Sequence, residues 1–420
     1  MILFLVVCLI FSFVGYFSEK KVLNPVTIMC TLWGMIILLS KLQLYGLYSV
    51  EKDIYEIIFN GVYTFIFGYY LTKFINLIVS KDTFGDHNFY FDINYKKIYI
   101  LYAICITYTF FRISQYGLGI FSNGFNLAGI GSYINSVSNS SNGIVAALGF
   151  LIVTPLFFPL LIVSSIDLIF GKRDRVLFIL TIVLILERII VYGGRLPIIQ
   201  FVITMGIIMN FENKKQLVKT SKFSKIIIIT AGIIIFIALT STKMVDTSVS
   251  MWKGLYLDFA MQPYMFQSWK NILGNNNYSY GFASLFGFIH PIIYALENIG
   301  FFSTMPQFFS NIYTNIQNTF NVWVPIGDQL TANAYTSAFW YLYYDGGILG
   351  TIVGMFILGM ISFLFFNMAI KHNGAKSLSN YVMIAFCLIY TFTDMEFYKY
   401  DFVLGILYLN FLIYKNYKFR

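Results

Sequence analysis

Apolar residues run along this chain in long blocks separated by short polar connections. The blocks fall at about 1–17, 24–44, 54–79, 97–112, 144–170, 176–192, 196–211, 225–241, 346–370, 378–393 and 401–414. A run of about 20 apolar residues predicts a helix that crosses a bilayer, because lipid offers the backbone no partner outside its own helix. The pattern predicts an all-α polytopic membrane protein with about 11 transmembrane helices, built as one integral domain over residues 1–420. The first block has no basic stretch before it and reads as a retained span rather than a cleaved signal. Residues 241–344 break the rhythm. They are rich in aromatics and amphipathic, as in Met251–Trp269 and Tyr280–Phe302, which predicts interfacial or re-entrant helices capping the bundle.

Composition narrows the class. Hydrophobic residues make up 58% and charged residues 11%, against roughly 25% charged in soluble domains; soluble, disordered, coiled-coil and disulfide-scaffold classes are excluded. The net charge of +9 is not a nucleic-acid signal, because the basic residues alternate between connections. Lys20 and Lys21, then Lys81, Lys96 and Lys97, then Lys172, Arg173 and Arg175 mark one side. Lys214, Lys215, Lys219, Lys222 and Lys225, then Lys371 and Lys376, then Lys415, Lys418 and Arg420 continue it. The positive-inside rule makes this side cytoplasmic, with the N-terminus outside and the C-terminus inside.

The other side carries Ile113–Asn142, the turn at Tyr192–Arg195, the long segment 241–344 and an acidic loop at Asp394–Tyr400. An elaborate outer face and a spare cytoplasmic one place the chemistry outside, where nucleotide donors are absent. No phosphate-binding glycine loop is present, and no nucleic-acid partner is expected. Cys8, Cys30, Cys105 and Cys387 all lie in apolar runs and read as buried thiols. With no zinc spacing and no Ser-His-Asp pattern, neither a metal nor a cofactor is predicted.

Charged residues at membrane depth are the first candidates for chemistry. Glu187 and Arg188 interrupt the run Leu177–Val191, a costly position unless paired or wet; a local ion pair is the plain reading. Gly193-Gly194-Arg195-Leu196-Pro197 predicts a tight reversal with Arg195 at an outward helix N-terminus, suited to an anion; the alternative is interfacial snorkelling. Arg112 closes the fourth span on the same side, as an anion ligand or an interfacial anchor. Lys243, Lys253 and Lys270 are the cations of the first part of the long segment, and His290 is its histidine.

Asn333–Gly350 is the most distinctive stretch: an amphipathic helix, a glycine break and a long span. Asp345 stands at the mouth of that span, where a helix cap is the plain reading. Gly350 and Gly354 have close-packing spacing. Asp394, Glu396 and Lys399 read as a surface ion pair, and Asp167 and Lys73 as snorkelling charges.

The Asn-x-Tyr-Thr…Tyr-x-Asp-x-Gly-x-x-Gly pattern over Asn333–Gly350, the Gly-Gly-Arg turn before a span and the long outer loop ahead of the Asp-Gly span resemble the Wzy-type oligosaccharide repeat-unit polymerases. These are the polymerases of O-antigen and capsule. The sequence departs from that family at Gly346, where Phe is common. Arg195 to Gly206 fits an Arg-ten-Gly spacing described for some members; the long loop holds no arginine, so a second copy is missing.

The resemblance implies a GT-C-like membrane glycosyltransferase of the bacterial cytoplasmic membrane. It implies that undecaprenyl-diphosphate-linked glycans meet at the outer face, with a chain-length regulator and a flippase as pathway partners. On it, Arg195 with Arg112 or Arg188 would hold diphosphate, and Asp345 would position or deprotonate the acceptor hydroxyl. Lys243, Lys270, His290, Asn333, Tyr335 and Thr336 would contact substrate. The alternatives are an O-antigen ligase, whose His motif His290-Pro291 does not fit well, a lipid-linked oligosaccharide flippase or other transporter, and a membrane acyltransferase.

Overall fold

The computed structural model describes residues 2–79, 93–115, 144–192, 196–211, 251–274, 277–333, 336–372 and 374–414. Each predicted apolar segment within them is helical. In chain order these are α1 (Ile2–Glu19), α2 (Pro25–Leu42), α3 (Lys52–Val79), α4 (Tyr95–Gln115), α5 (Ile144–Leu148), α6 (Thr154–Phe170), α7 (Arg175–Tyr192) and α8 (Leu196–Asn210). The predicted segment 225–241 lies outside the described residues. The long segment contains α9 (Met251–Ala260), α10 (Gln262–Leu273), α11 (Phe286–Asn298) and α12 (Gln307–Asn321). Then come α13 (Ser337–His372), α14 (Ala375–Tyr390) and α15 (Tyr400–Tyr408).

Among the described residues 6 helices are long and apolar enough to cross a membrane. Their outer surfaces carry large apolar side chains; α1 alone exposes Ile2, Leu3, Leu9, Phe13 and Phe17, a surface that suits lipid and not water. The helices form two compact units. One comprises Met1–Gly85, Val249–Lys371 and Ile384–Tyr400, the other Asp86–Ser248, His372–Met383 and Asp401–Arg420.

In the first unit, α1 and α2 are joined by a turn built on Asn24. Its side chain accepts the Thr27 amide at 2.9 Å and donates to the Lys21 carbonyl at 2.8 Å. Pro25 occupies the first helical turn, where its missing N–H costs nothing. Helices α3 and α13 cross with their backbones touching: a Cβ at Gly68 would collide with the Phe356 carbonyl, and one at Gly359 with the Phe65 carbonyl.

Helices α9 and α10 lie over the α2–α3 connection. The Tyr256 hydroxyl donates to the Leu39 carbonyl at 2.7 Å and accepts the Leu44 amide at 2.9 Å. Glu51 donates its amide to Gln267 at 2.8 Å. A hairpin absent from the sequence reading, β1 (Val324–Gly327) with antiparallel β2 (Leu330–Ala332), also seats on this connection. Tyr48 donates its amide to the Ile326 carbonyl at 3.0 Å, and Asp328 to that of Gly46 at 2.9 Å. Such short strands, one containing Pro325, carry little periodic signal; their pairing is fixed by the chain they dock on.

In the second unit, Tyr102 on α4 reaches the Leu160 carbonyl at 3.0 Å and the Thr181 hydroxyl at 2.7 Å, tying α4, α6 and α7. Asp167 does not snorkel. It is buried and closes the turn after α6, accepting the Tyr95 hydroxyl at 2.5 Å and the amides of Lys172 at 3.0 Å and Asp174 at 2.8 Å. Lys73, in the first unit, pairs with Glu19 at 2.5 Å.

Candidate functional site

The site grows from the broken helix α13. Its regular geometry fails at Gly346 (φ −173°, ψ 33°) and Gly347 (φ 63°, ψ −144°). The positive φ at Gly347 is what a residue without Cβ adopts readily. The predicted glycine break is therefore present, and it is sharp. The piece before it, from Ser337, bends back on the piece after it: a Cβ at Gly350 would collide with the Leu342 carbonyl oxygen, and one at Gly354 with the Leu342 side chain. Gly350 and Gly354 thus receive their own helix's folded-back start, not a second helix. The folded-back piece is not amphipathic as the sequence suggested. Ser337, Ala338, Phe339, Trp340, Tyr341, Leu342, Tyr344 and Asp345 are all buried.

Asp345 ends this piece, and its carboxylate is fully engaged. Oδ1 accepts the Ser279 hydroxyl at 2.5 Å and the Ala283 amide at 2.8 Å; Oδ2 accepts the Ser284 amide at 3.1 Å. Ser279 and Tyr280 also donate their amides to the carbonyls of Tyr344 (2.9 Å) and Asp345 (3.0 Å). The side chain does cap a turn, but one in the chain ahead of α11 rather than its own helix. That turn sets α11, whose Gly287 lies so close to the Phe397 and Lys399 carbonyls that a Cβ would overlap them. Asp345 is thus a positioning residue for the loop 391–400.

That loop and the start of α13 form a buried polar corner. Ser337 donates its amide to the Thr393 carbonyl at 3.1 Å, and Ala338 to that of Thr391 at 2.8 Å. Ser337 holds φ 68°, a region few non-glycine residues occupy and one often found at working sites. Trp33 from α2 steadies the loop by donating to the Thr391 hydroxyl at 3.0 Å. Tyr341 stacks on Tyr398 with ring centres 4.9 Å apart. Lys399 bridges Asp394 Oδ2 at 3.0 Å and Glu396 Oε1 at 2.7 Å.

The reading of these three charges as a surface pair is overturned: Asp394 is 6% exposed and Glu396 4%, because α11 and the start of α13 pack over them. Among the described residues of this loop and of the start of α13, five polar atoms are buried and have no hydrogen-bond partner: Thr336 Oγ1, Ser337 Oγ, Trp340 Nε1, the Tyr341 hydroxyl and Asp394 Oδ1. Such an atom costs about 1–3 kcal/mol and calls for an explanation.

The remaining candidates divide. Lys270 pairs with Asp53 across the α10–α3 contact. Asn333 donates its side-chain amide to the Phe320 carbonyl at 2.8 Å, closing the end of α12. His290 lies among the rings of Phe286, Tyr313 and Tyr400, with centres 5.4–5.6 Å away. Burial lowers its pKa from the ordinary 6.5 to about 4.

The unfolded chain then takes up a proton below pH 6.5 that the folded one refuses until about pH 4. Stability is expected to be level above pH 7 and to fall by up to about 3 kcal/mol on the way to pH 4. Melting curves of purified protein at pH 7.5 and 5 measure this, and His290→Phe should remove most of the difference.

Arg112 and Arg188 belong to the second unit and are buried. Arg188 donates to the Val153 carbonyl at 3.0 Å, where the π turn Gly149–Val153 opens the helix, and its guanidinium lies 4.9 Å from the Phe157 ring centre. Its neighbour Glu187 accepts the Thr109 hydroxyl at 2.8 Å, in place of the predicted local pair. Arg195, Lys243 and Tyr335 lie outside the described residues. Asp394, Glu396, Lys399, Ser279 and Trp340 were missed. The signal for the first three was available: three charges within six residues between apolar segments, in Asp394-Met-Glu396-Phe-Tyr-Lys399.

Apolar spans and a buried polar corner define a helical membrane protein, with one small hairpin among the described residues. Compared with family models, curated proteins and solved structures, the chain matches none.

Proposed function

We propose that this protein polymerises lipid-linked oligosaccharide repeat units at the outer face of a bacterial cytoplasmic membrane, in the manner of the Wzy-type polymerases. It would do so from a GT-C-like scaffold of about 11 spans, with the N-terminus outside. The growing glycan leaves its undecaprenyl-diphosphate carrier and joins a hydroxyl of a new lipid-linked unit. A diphosphate is already a good leaving group, so the protein mainly neutralises charge and orients the acceptor.

The observation that carries this reading is the buried corner where the motif segment Asn333–Gly350 meets loop 391–400. Its hydroxyls, indole N–H and carboxylate oxygen lack protein partners and are of the kind that bind sugar hydroxyls, with aromatic rings beside them. A second observation supports the orientation. The long segment and the loop Asp394–Tyr400, both assigned outward from charge, lie in one unit with the connection 43–52, to which the long segment is bonded.

Arg195 is the candidate for the diphosphate; Arg188, which gives one guanidinium nitrogen to the Val153 carbonyl, is a weaker one. Arg195→Ala is expected to reduce polymer at least 100-fold with unchanged protein level. The direct test incubates purified protein with synthetic undecaprenyl-diphosphate repeat units. Carrier-linked polymer supports the reading; units that are only moved across vesicle membranes favour a transporter, and units joined only to a lipid A core acceptor favour a ligase.

A further inference from the structure

We propose that the corner of Thr336, Ser337, Trp340 and Asp394 is the acceptor subsite, and that Asp394 Oδ1 takes the proton of the attacking sugar hydroxyl. This rests on the polymerase reading above and assigns it a residue that neither the sequence pattern nor the family resemblance supplied.

The argument begins with charge. Among the described residues, Asp394 and Glu396 share the Lys399 ammonium, which gives these three groups together a formal charge of −1. A diphosphate is repelled from such a place; a neutral hydroxyl is not. The unpartnered atoms also match a hydroxyl in kind. A sugar hydroxyl donates one hydrogen bond and accepts others; of the unpartnered atoms, Asp394 Oδ1 accepts, the Trp340 indole N–H donates, and the hydroxyls of Thr336, Ser337 and Tyr341 do either.

Asp394 is held in place without being used up. Its Oδ2 is 3.0 Å from Lys399, and its amide donates to the Tyr390 carbonyl at 3.1 Å, while Oδ1 has no partner. Asp345 differs on this point, since both of its oxygens are satisfied by the Ser279–Ser284 turn. The role of hydroxyl base therefore passes from Asp345 to Asp394.

The step balances as follows. The acceptor oxygen bonds to the anomeric carbon of the growing chain. The bond from that carbon to the diphosphate oxygen breaks, and its electron pair leaves with the diphosphate. The hydroxyl proton passes to Asp394 Oδ1 and is later lost to water.

The test uses full-length protein in liposomes with fluorescent undecaprenyl-diphosphate repeat units, read as kcat and KM, with melting temperature as the check on folding. Asp394→Asn keeps the shape and loses the base. It is expected to lower kcat about 100-fold or more, with KM within about threefold of wild type. Thr336→Val removes a donor contact and is expected to raise KM several-fold with little change in kcat.

Wild-type kcat in a folded Asp394→Asn protein would overturn the assignment while leaving polymerisation intact. If Asp394→Asn does not fold, Thr336→Val decides: an unchanged KM overturns the subsite. Higher melting temperatures with unaltered turnover in both variants would mark the corner as a water-filled structural cluster. Absence of polymer from wild-type protein would overturn the polymerase reading itself and this inference with it.

Discussion

Asp345→Ala is expected to destabilise the protein before it affects any chemistry. The substitution removes three hydrogen bonds to a buried carboxylate, strands the Ser284 amide and leaves the Ala283 amide only its 3.3 Å bond to the Ser279 hydroxyl. Bonds to charged groups contribute about 1.5–3 kcal/mol each, and a stranded buried amide costs about 1–3. A loss of roughly 4 kcal/mol is a large share of the stability of most proteins. Cellular protein level should fall, and the melting temperature of what remains should drop.

Asp345→Asn keeps two acceptor directions but turns an N–H toward a donor, so about half of that loss is expected. If instead Asp345→Ala accumulates and melts as wild type yet makes no polymer, Asp345 acts on substrate directly and its role as a lock is wrong. Ser279→Ala should show a smaller loss of the same kind, about 1–2 kcal/mol, because the two amide bonds survive.

Gly350→Val is expected to be about as damaging, for a steric reason. The new Cβ would lie 2.4 Å from the Leu342 carbonyl oxygen. Overpacking a side-chain core costs about 1–3 kcal/mol, and a flexible neighbour relieves part of it. Here the obstacle is backbone inside the fold-back and cannot rotate away, so the cost belongs at or above that upper end. The folded-back piece would be pushed off the rest of α13, dragging Asp345 from its turn and Ser337 from Thr393. Gly206→Ala is the matched control: nothing lies within 4 Å of a Cβ there, and alanine in a helix interior gains up to about 1 kcal/mol over glycine. Comparing melting temperatures of the two variants separates crowding at α13 from a general intolerance of glycine replacement.

The membrane-helix architecture was legible because it follows from one physical rule, that lipid-facing backbone must be helical and apolar. Blocks such as 54–79 and 144–170 announce themselves by length and composition alone. The break at Gly346-Gly347 was legible for a similar local reason. Its consequence was not. Fold-back depends on Leu342 meeting Gly350 and Gly354, and identical spacing elsewhere marks contact with another helix. The same holds for Asp345: the sequence shows a carboxylate at a helix mouth, but the Ser279–Ser284 turn that consumes it lies some sixty residues earlier.

Burial decided the remaining cases. Asp394, Glu396 and Lys399 look solvated when read as a short charged loop, and only the packing of α11 and the start of α13 buries the two carboxylates and half-buries Lys399. His290 carried functional weight as an outward histidine, and its aromatic surroundings come from three separate segments. Trp340 read as one more aromatic in a run of them, and nothing in its neighbours marks its indole N–H as unsatisfied.

The most direct measurement of the central claim is deletion of the gene in a strain with a complete polymer locus, followed by electrophoresis of the surface glycan. Polymerisation predicts loss of the ladder with survival of a band of core plus one repeat unit, or of single lipid-linked units in a capsule-only strain, restored by the wild-type gene and not by Asp394→Asn. Loss of every unit, including the single one, would contradict the account and point to export or attachment instead.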